Sequence, residues 1–143
     1  MVGGYTYLDG ARAAVKALQD QGIEVALLSG SMDIVVEKVA GELAIGRWAC
    51  NNVFHFDEKG VLDRIETTMN ENEFKAAQLA EWCDELGIRS RDVAIVGDGA
   101  SDRLIAAVAG FVVAIGREST LAERADAVLG EDEYGKLADY FSK

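Results

Sequence analysis

The run Val93-Ala94-Ile95-Val96 stops at Gly97-Asp98-Gly99, and a second aspartate, Asp102, follows Asp98 by four positions. Apolar, mostly β-branched residues in a run this short read as a strand covered on both faces, the kind found inside a parallel sheet. The glycines let the backbone turn sharply where the run ends. Asp98 and Asp102 then stand in the loop at the strand's carboxyl end, where open α/β sheets bind their ligands. Two carboxylates there suit a hard cation. Mg2+ is the default, because it takes oxygen ligands and keeps waters and a phosphate in the rest of its shell. The same stretch also reads as a plain strand, turn and helix cap, since Asp and Ser are common cap residues.

Elsewhere the pattern alternates between helical and strand periods. Asp9 is positioned to cap a helix over residues 10–21, with Ala14, Val15 and Leu18 on one face and Gly22 as its stop. Residues 24–28 read as a strand ending at Ser29-Gly30-Ser31, and 33–43 as a helix with Ile34, Val35, Val39 and Leu43 inward. Residues 53–56 and 61–65 read as a β-hairpin around Asp57-Glu58-Lys59-Gly60, with the single histidine, His55, as a strand residue. Asn72 is positioned to cap a helix over 73–86, in which Phe74, Leu79, Trp82 and Leu86 form a stripe that Gly87 closes. A strand over 92–96, a helix over 103–108, strands over 111–115 and 127–129 and a helix over 134–141 complete the series. Strands alternating with helices predict an α/β domain with a parallel sheet and right-handed crossovers.

Length and charge narrow the class. With 143 residues, half of them apolar, the chain reads as one domain spanning 1–143 with enough apolar material for a core. No window approaches the roughly 18 unbroken apolar residues of a membrane span, and no basic stretch followed by an apolar one opens the chain, so no signal peptide is expected. Two cysteines, Cys50 and Cys83, make no disulfide framework and fit a reducing cytoplasm. A formal net charge of −11 argues against nucleic acid and anionic membranes as partners. A phosphate site would need local positive potential, from a metal, a lysine or helix N-termini.

Four features then stand in order: Ser29-Gly30 at one strand end, Lys75 near a helix start, Asp98 and Asp102 at the next long strand end, and the strand over 111–115. A hydroxyl can donate to a phosphoryl oxygen, a lysine can neutralise it, and two aspartates can hold a bridging metal. Phosphoryl transfer needs this positioning and charge neutralisation more than elaborate chemistry. Singly, Ser29 also reads as a turn hydroxyl and Lys75 as a solvated helix lysine.

The ordered set Leu8-Asp9-Gly10-Ala11, residues 22–30, Asn51-Asn52, Lys75-Ala76, residues 97–102, Ala109-Gly110 and residues 125–128 resembles the haloacid dehalogenase-like phosphatases. Within them it resembles the phosphoserine phosphatase branch, over nearly the whole chain. The resemblance implies a three-layer sandwich around a mostly parallel Rossmann-like sheet, plus a small β-hairpin. It implies Mg2+-dependent hydrolysis of a small phosphorylated metabolite. Ser29, with Gly30 beside it, would hydrogen-bond the transferred phosphoryl group and Lys75 would neutralise it, as catalytic and phosphate-binding residues. Asp98 would bind Mg2+ and Asp102 would support the metal shell. Ser101 stands where that branch usually has asparagine.

Those phosphatases begin with an apolar strand ending in Asp-x-Asp-Gly-Thr, which supplies the nucleophile and the acid/base. No such motif occurs here; Tyr7-Leu8-Asp9-Gly10-Ala11 puts tyrosine at the nucleophile position and alanine at the threonine position. The chain therefore reads as a core without that first strand and without a cap domain. In the family the strand lies between those of residues 24–28 and 92–96. Its place could be taken by residues 2–7, by direct pairing of the flanking strands, or by a second chain, as a swapped homodimer or a strand-supplying partner. Two functions follow: a phosphomonoesterase in shortened or divergent form, or a non-catalytic phosphate- and metal-binding relative that needs a partner chain.

Overall fold

The computed structural model describes residues 5–142, and their elements follow the expected alternation. Helix α1 (Ala11–Asp20) leads to strand β1 (Ala26–Met32), α2 (Asp33–Glu42), β2 (Arg47–Phe56), β3 (Leu62–Thr67), α3 (Glu71–Leu86), β4 (Ala94–Gly97), α4 (Arg103–Val108), β5 (Phe111–Ile115) and β6 (Ala127–Leu129). The last helix, Tyr134–Phe141, is a 3-10 helix.

The strands form two three-stranded sheets rather than one. In the first, β1 pairs parallel with β2, and β2 pairs antiparallel with β3 to make the hairpin. In the second, β4, β5 and β6 run parallel. Helices cover both faces of the second sheet. Ala14 and Leu18 of α1 and Leu137 and Ala138 of the last helix pack on Val113, Ile115 and Leu129. On the other side Leu79 and Cys83 of α3 meet Ile105 of α4, with Ile95 of β4 against them. The α/β class is as the alternation predicts, and the three layers are as the resemblance implies.

Several local details differ. Gly10, in the left-handed region, occupies the cap position of α1, and no side chain caps that helix, so Asp9 does not do so. Helix α3 starts two residues earlier than expected: its cap is Asn70, whose side chain accepts the Asn72 N–H at 3.0 Å. Helix α2 turns Val36 and Ala40 inward as its buried residues, one position away from the expected stripe. Leu86 closes α3 at 40% exposure instead of extending its buried face. Strand β2 begins at Arg47, six residues before the expected hairpin.

The largest difference concerns the sheet centre. Residues 5–7 form no strand. Tyr5 and Tyr7 instead donate their hydroxyls to Glu42 of α2, and Lys38 lies over the Tyr5 ring. Residues 2–4 lie outside the described residues. Nor do β1 and β4 pair with each other. The run 93–96, read as a strand covered on both faces, is not so covered: Val96 of β4 is 39% exposed, whereas Val113 and Ala114 of β5 are fully buried.

Gly110 ties the β4–β5 connection together. Its N–H donates to Val93 O at 3.0 Å, and a Cβ at this position would stand 1.8 Å from the Arg91 carbonyl oxygen. Backbone cannot swing aside as a side-chain tip can. Gly110→Ala is expected to destabilise the chain by about 1–3 kcal/mol, the usual range for overpacking, read as a lowered midpoint in thermal or urea unfolding.

Candidate active site

Five consecutive residues of β1, 27–31, and three at the end of β4, 96–98, line one cavity of about 350 Å³. The carboxyl half of β1, with Ser29 and Gly30, and the end of β4 therefore meet at the same place. Helix α3 adds Glu71 and Lys75, the turn after β4 adds Ser101 and Asp102, and the last helix adds Tyr134. Ser29, Gly30, Lys75, Asp98 and Asp102 thus share one cavity, although the elements carrying them are far apart in sequence.

Lys75 is the centre of the arrangement. It is 6% exposed, as is Asp102, and its Nζ donates to Asp102 Oδ1 at 2.8 Å and to Ser101 Oγ at 3.1 Å. Glu71 Oε1, one turn earlier on α3, lies 3.6 Å from the same nitrogen. An ammonium has three N–H donors, so these two hydrogen bonds leave one for the cavity. Gly97 makes room for this pair: a Cβ there would stand 2.3 Å from Asp102 Oδ2.

The β1 loop is held from several sides. Ser29 Oγ accepts the Ser31 N–H at 3.0 Å, which orients the hydroxyl and leaves its own proton free to donate. Asn52 Nδ2 donates to the Gly30 carbonyl. Its neighbour Asn51 is buried, donates to Met69 O at 2.6 Å and accepts from Thr68 Oγ1 at 2.8 Å. The Asn51-Asn52 pair thereby fastens both the loop and the entry to α3.

Asp98 is placed differently. Ser119 Oγ donates to its main-chain carbonyl at 2.8 Å, fixing the loop, while its carboxylate accepts no hydrogen bond from the described residues. Burial, and then the charges of Asp98 and Glu131, push the Tyr134 hydroxyl above its ordinary pKa, so it stays a protonated donor at neutral pH. Sequence reasoning missed Glu71 and Tyr134 as cavity residues. Glu71 carried a signal, lying four residues before Lys75 on the same helix face; Tyr134 carried none.

In the cavity wall, carboxylates (Glu71, Asp98, Asp102) outnumber the ammonium of Lys75 three to one. A phosphate dianion would be repelled unless a cation accompanied it. Among the described residues no three His, Cys, Asp or Glu side chains cluster to enclose a metal. That donor set fits Mg2+ of the open kind, held by one or two carboxylates and keeping its waters for a phosphate oxygen. Asp98 is its available donor, because Asp102 already holds Lys75. His55 lies away from the cavity, in β2, against Glu66 at 3.0 Å.

A family model, haloacid dehalogenase-like hydrolase, matches residues 3–110. The chain is 28% identical over 130 residues to a phosphoserine phosphatase of Archaeoglobus fulgidus, covering 91% of this chain and 38% of that protein. It is 30% identical over 135 residues to that of Methanocaldococcus jannaschii, covering 94% of this chain and 64% of that protein. Among solved structures, a substrate-bound phosphoserine phosphatase superimposes with a TM-score of 0.81 at 28% identity, over 93% of this chain and 63% of that one. A phospho-aspartyl intermediate analogue of phosphoserine phosphatase gives 0.80 at 27%, over 96% and 65%. The chain thus spans less than two thirds of the length of these relatives. It belongs to the haloacid dehalogenase-like hydrolases, and within them its likeness is to the phosphoserine phosphatases.

Proposed function

We propose that this chain carries the phosphate- and metal-binding part of a Mg2+-dependent phosphomonoesterase site acting on a small phosphorylated metabolite. One observation carries the reading. A buried lysine, already held by Asp102 and Ser101, lines the same cavity as Ser29 and as Asp98, whose carboxylate has no hydrogen-bond partner among the described residues. Lys75 offers its remaining N–H to a phosphoryl oxygen and neutralises part of its charge. Ser29 donates a second hydrogen bond from the loop that Ser31 and Asn52 hold in place. Asp98 would hold Mg2+, with Asp102, held by Lys75, supporting the metal shell from behind; when bound, the ion would neutralise charge on the phosphoryl oxygens. Donors fixed in advance cost no reorganisation at the moment of reaction, which is why such a cradle is effective.

The likeness to phosphoserine phosphatases favours a phosphate monoester as the ligand class. Both cysteines are free, and none of the described helices is long and apolar enough to cross a membrane. With them, a reducing cytoplasm is the proposed setting.

Thermal unfolding with Mg2+ and inorganic phosphate together tests the reading. A ligand that binds only the native state at a hundredfold excess over its Kd stabilises by about 2.7 kcal/mol. The pair is expected to raise the midpoint, each alone less, and Asp98→Ala is expected to remove the Mg2+ contribution. A rise that Asp98→Ala leaves intact would place the ions elsewhere.

A further inference from the structure

We propose that Glu71 is a built-in competitor for phosphate: its carboxylate fills the Lys75 side of the cavity in the free protein and swings out to water when a phosphate monoester enters. The inference rests on the phosphate reading above and adds the residue that limits how tightly phosphate is held.

One carboxylate oxygen stands where the phosphate-binding groups converge. Glu71 Oε1 lies 3.6 Å from Lys75 Nζ. The same oxygen lies against Gly30, so closely that a Cβ there would stand 2.2 Å from it. Lys75 and Gly30 are two of the residues assigned above to phosphate, and Glu71 lines the same cavity. Carboxylate and phosphate oxygens take the same cationic donors, so Glu71 and a phosphoryl group compete for one place.

The charge of Glu71 is surplus to the structure. Lys75 is buried, and Asp102 at 2.8 Å already neutralises it. Glu71 is a second carboxylate on one ammonium, at a distance beyond that of a charged hydrogen bond. Its hold is therefore Coulombic, and the third N–H of Lys75 is not consumed. The two partners also differ in freedom. Asp102 and Ser101 fix Lys75, whereas the Glu71 side chain is 45% exposed and can rotate into water. Glu71 is the first residue of α3, which Asn70 caps. The helix N-terminus favours a carboxylate there, so the competitor stays charged beside the cavity mouth.

Calorimetric titration of inorganic phosphate into the intact chain, at a fixed millimolar Mg2+, tests this. Glu71→Gln keeps the size and removes the charge. It is expected to tighten phosphate binding about tenfold, the order set by removing a like charge a few ångströms away in a partly solvated site. Glu71→Asp keeps the charge but is one methylene shorter, which withdraws the carboxylate from Gly30 and Lys75; it too should tighten binding, by a smaller factor. Glu73→Gln removes an exposed charge of α3 that does not line the cavity. It should change the affinity by less than about twofold, because solvent screens it. Phosphate binding that Glu71→Gln leaves unchanged or weakens overturns the proposal, and weakening would mean that Glu71 positions Lys75 or helps to hold the cation. Tightening in Glu71→Gln with none in Glu71→Asp also overturns it, because the charge would then act at a distance without filling the site. Phosphate binding by none of the four proteins would overturn the phosphate reading of the cavity, and the competition with it.

Discussion

The purified 143-residue chain is expected to hydrolyse an aryl phosphate with Mg2+ no faster than its Asp98→Ala variant. On the proposed reading the cavity positions and neutralises a phosphoryl group, but a covalent route also needs an attacking group aimed at phosphorus. Of the carboxylates present, Asp102 is bonded to Lys75 at 2.8 Å and Asp98 is the donor left for a cation. Glu71 lies 3.6 Å from the same ammonium. Asp33 is committed to the Phe54 N–H at 3.1 Å, and neither it nor Asp9, in the turn before α1, lines the cavity. Positioning alone leaves a slow reaction with water, without the factor of roughly 10⁵ or more that a well-oriented nucleophile brings. Robust turnover that disappears in Asp98→Ala would show this wrong, and would mean that Asp9, Asp33 or a neighbouring chain supplies the nucleophile.

Lys75→Met is expected to destabilise the protein by about 3–5 kcal/mol, the usual effect of leaving one member of a buried ion pair without its partner. Asp102 is 6% exposed, so water cannot replace the lost ammonium unless the α3–α4 contact opens. For a chain of this size the midpoint of thermal unfolding should fall by roughly 10 °C. Lys75→Met combined with Asp102→Leu should recover most of that loss, because no charge is then stranded. It should recover none of the phosphate-dependent stabilisation. If the double variant is as unstable as the single one, packing rather than charge holds this corner of the cavity.

The site was legible where chemistry and local structure coincide. Ser29 and Asp98 each end an apolar run, and Asp102 follows Asp98 within one turn, so sequence alone brings them to strand ends. Lys75 was legible as a helix residue, but its burial was not, because nothing local indicates that Ser101 and Asp102 lie over it. Tyr134 reaches the cavity from the last helix of the chain, and no spacing announces that. The missed first half of β2, Arg47 to Asn52, has a physical cause too. Arg-Trp-Ala-Cys-Asn-Asn neither alternates nor runs apolar. It is a strand because β1 pairs with it, Ala26 opposite Arg47 and Ser29 opposite Cys50.

The caps show the same division on a smaller scale. Asp9 and Asn72 have cap chemistry, but adjacent residues settle the matter: Gly10 adopts the left-handed conformation at the first helix, and Asn70 takes the cap of α3. Sequence by itself determined the order of helices and strands, the parallel character of β4 and β5, and the polar groups at the strand ends. These follow from side-chain shape and apolar period, which act within a few residues. Only the tertiary structure decided that β1 and β4 lie in separate sheets and do not pair with each other, with Val96 exposed and Val113 buried. Composition expresses what a strand prefers to touch. Whether a neighbour is there to satisfy it depends on segments distant along the chain.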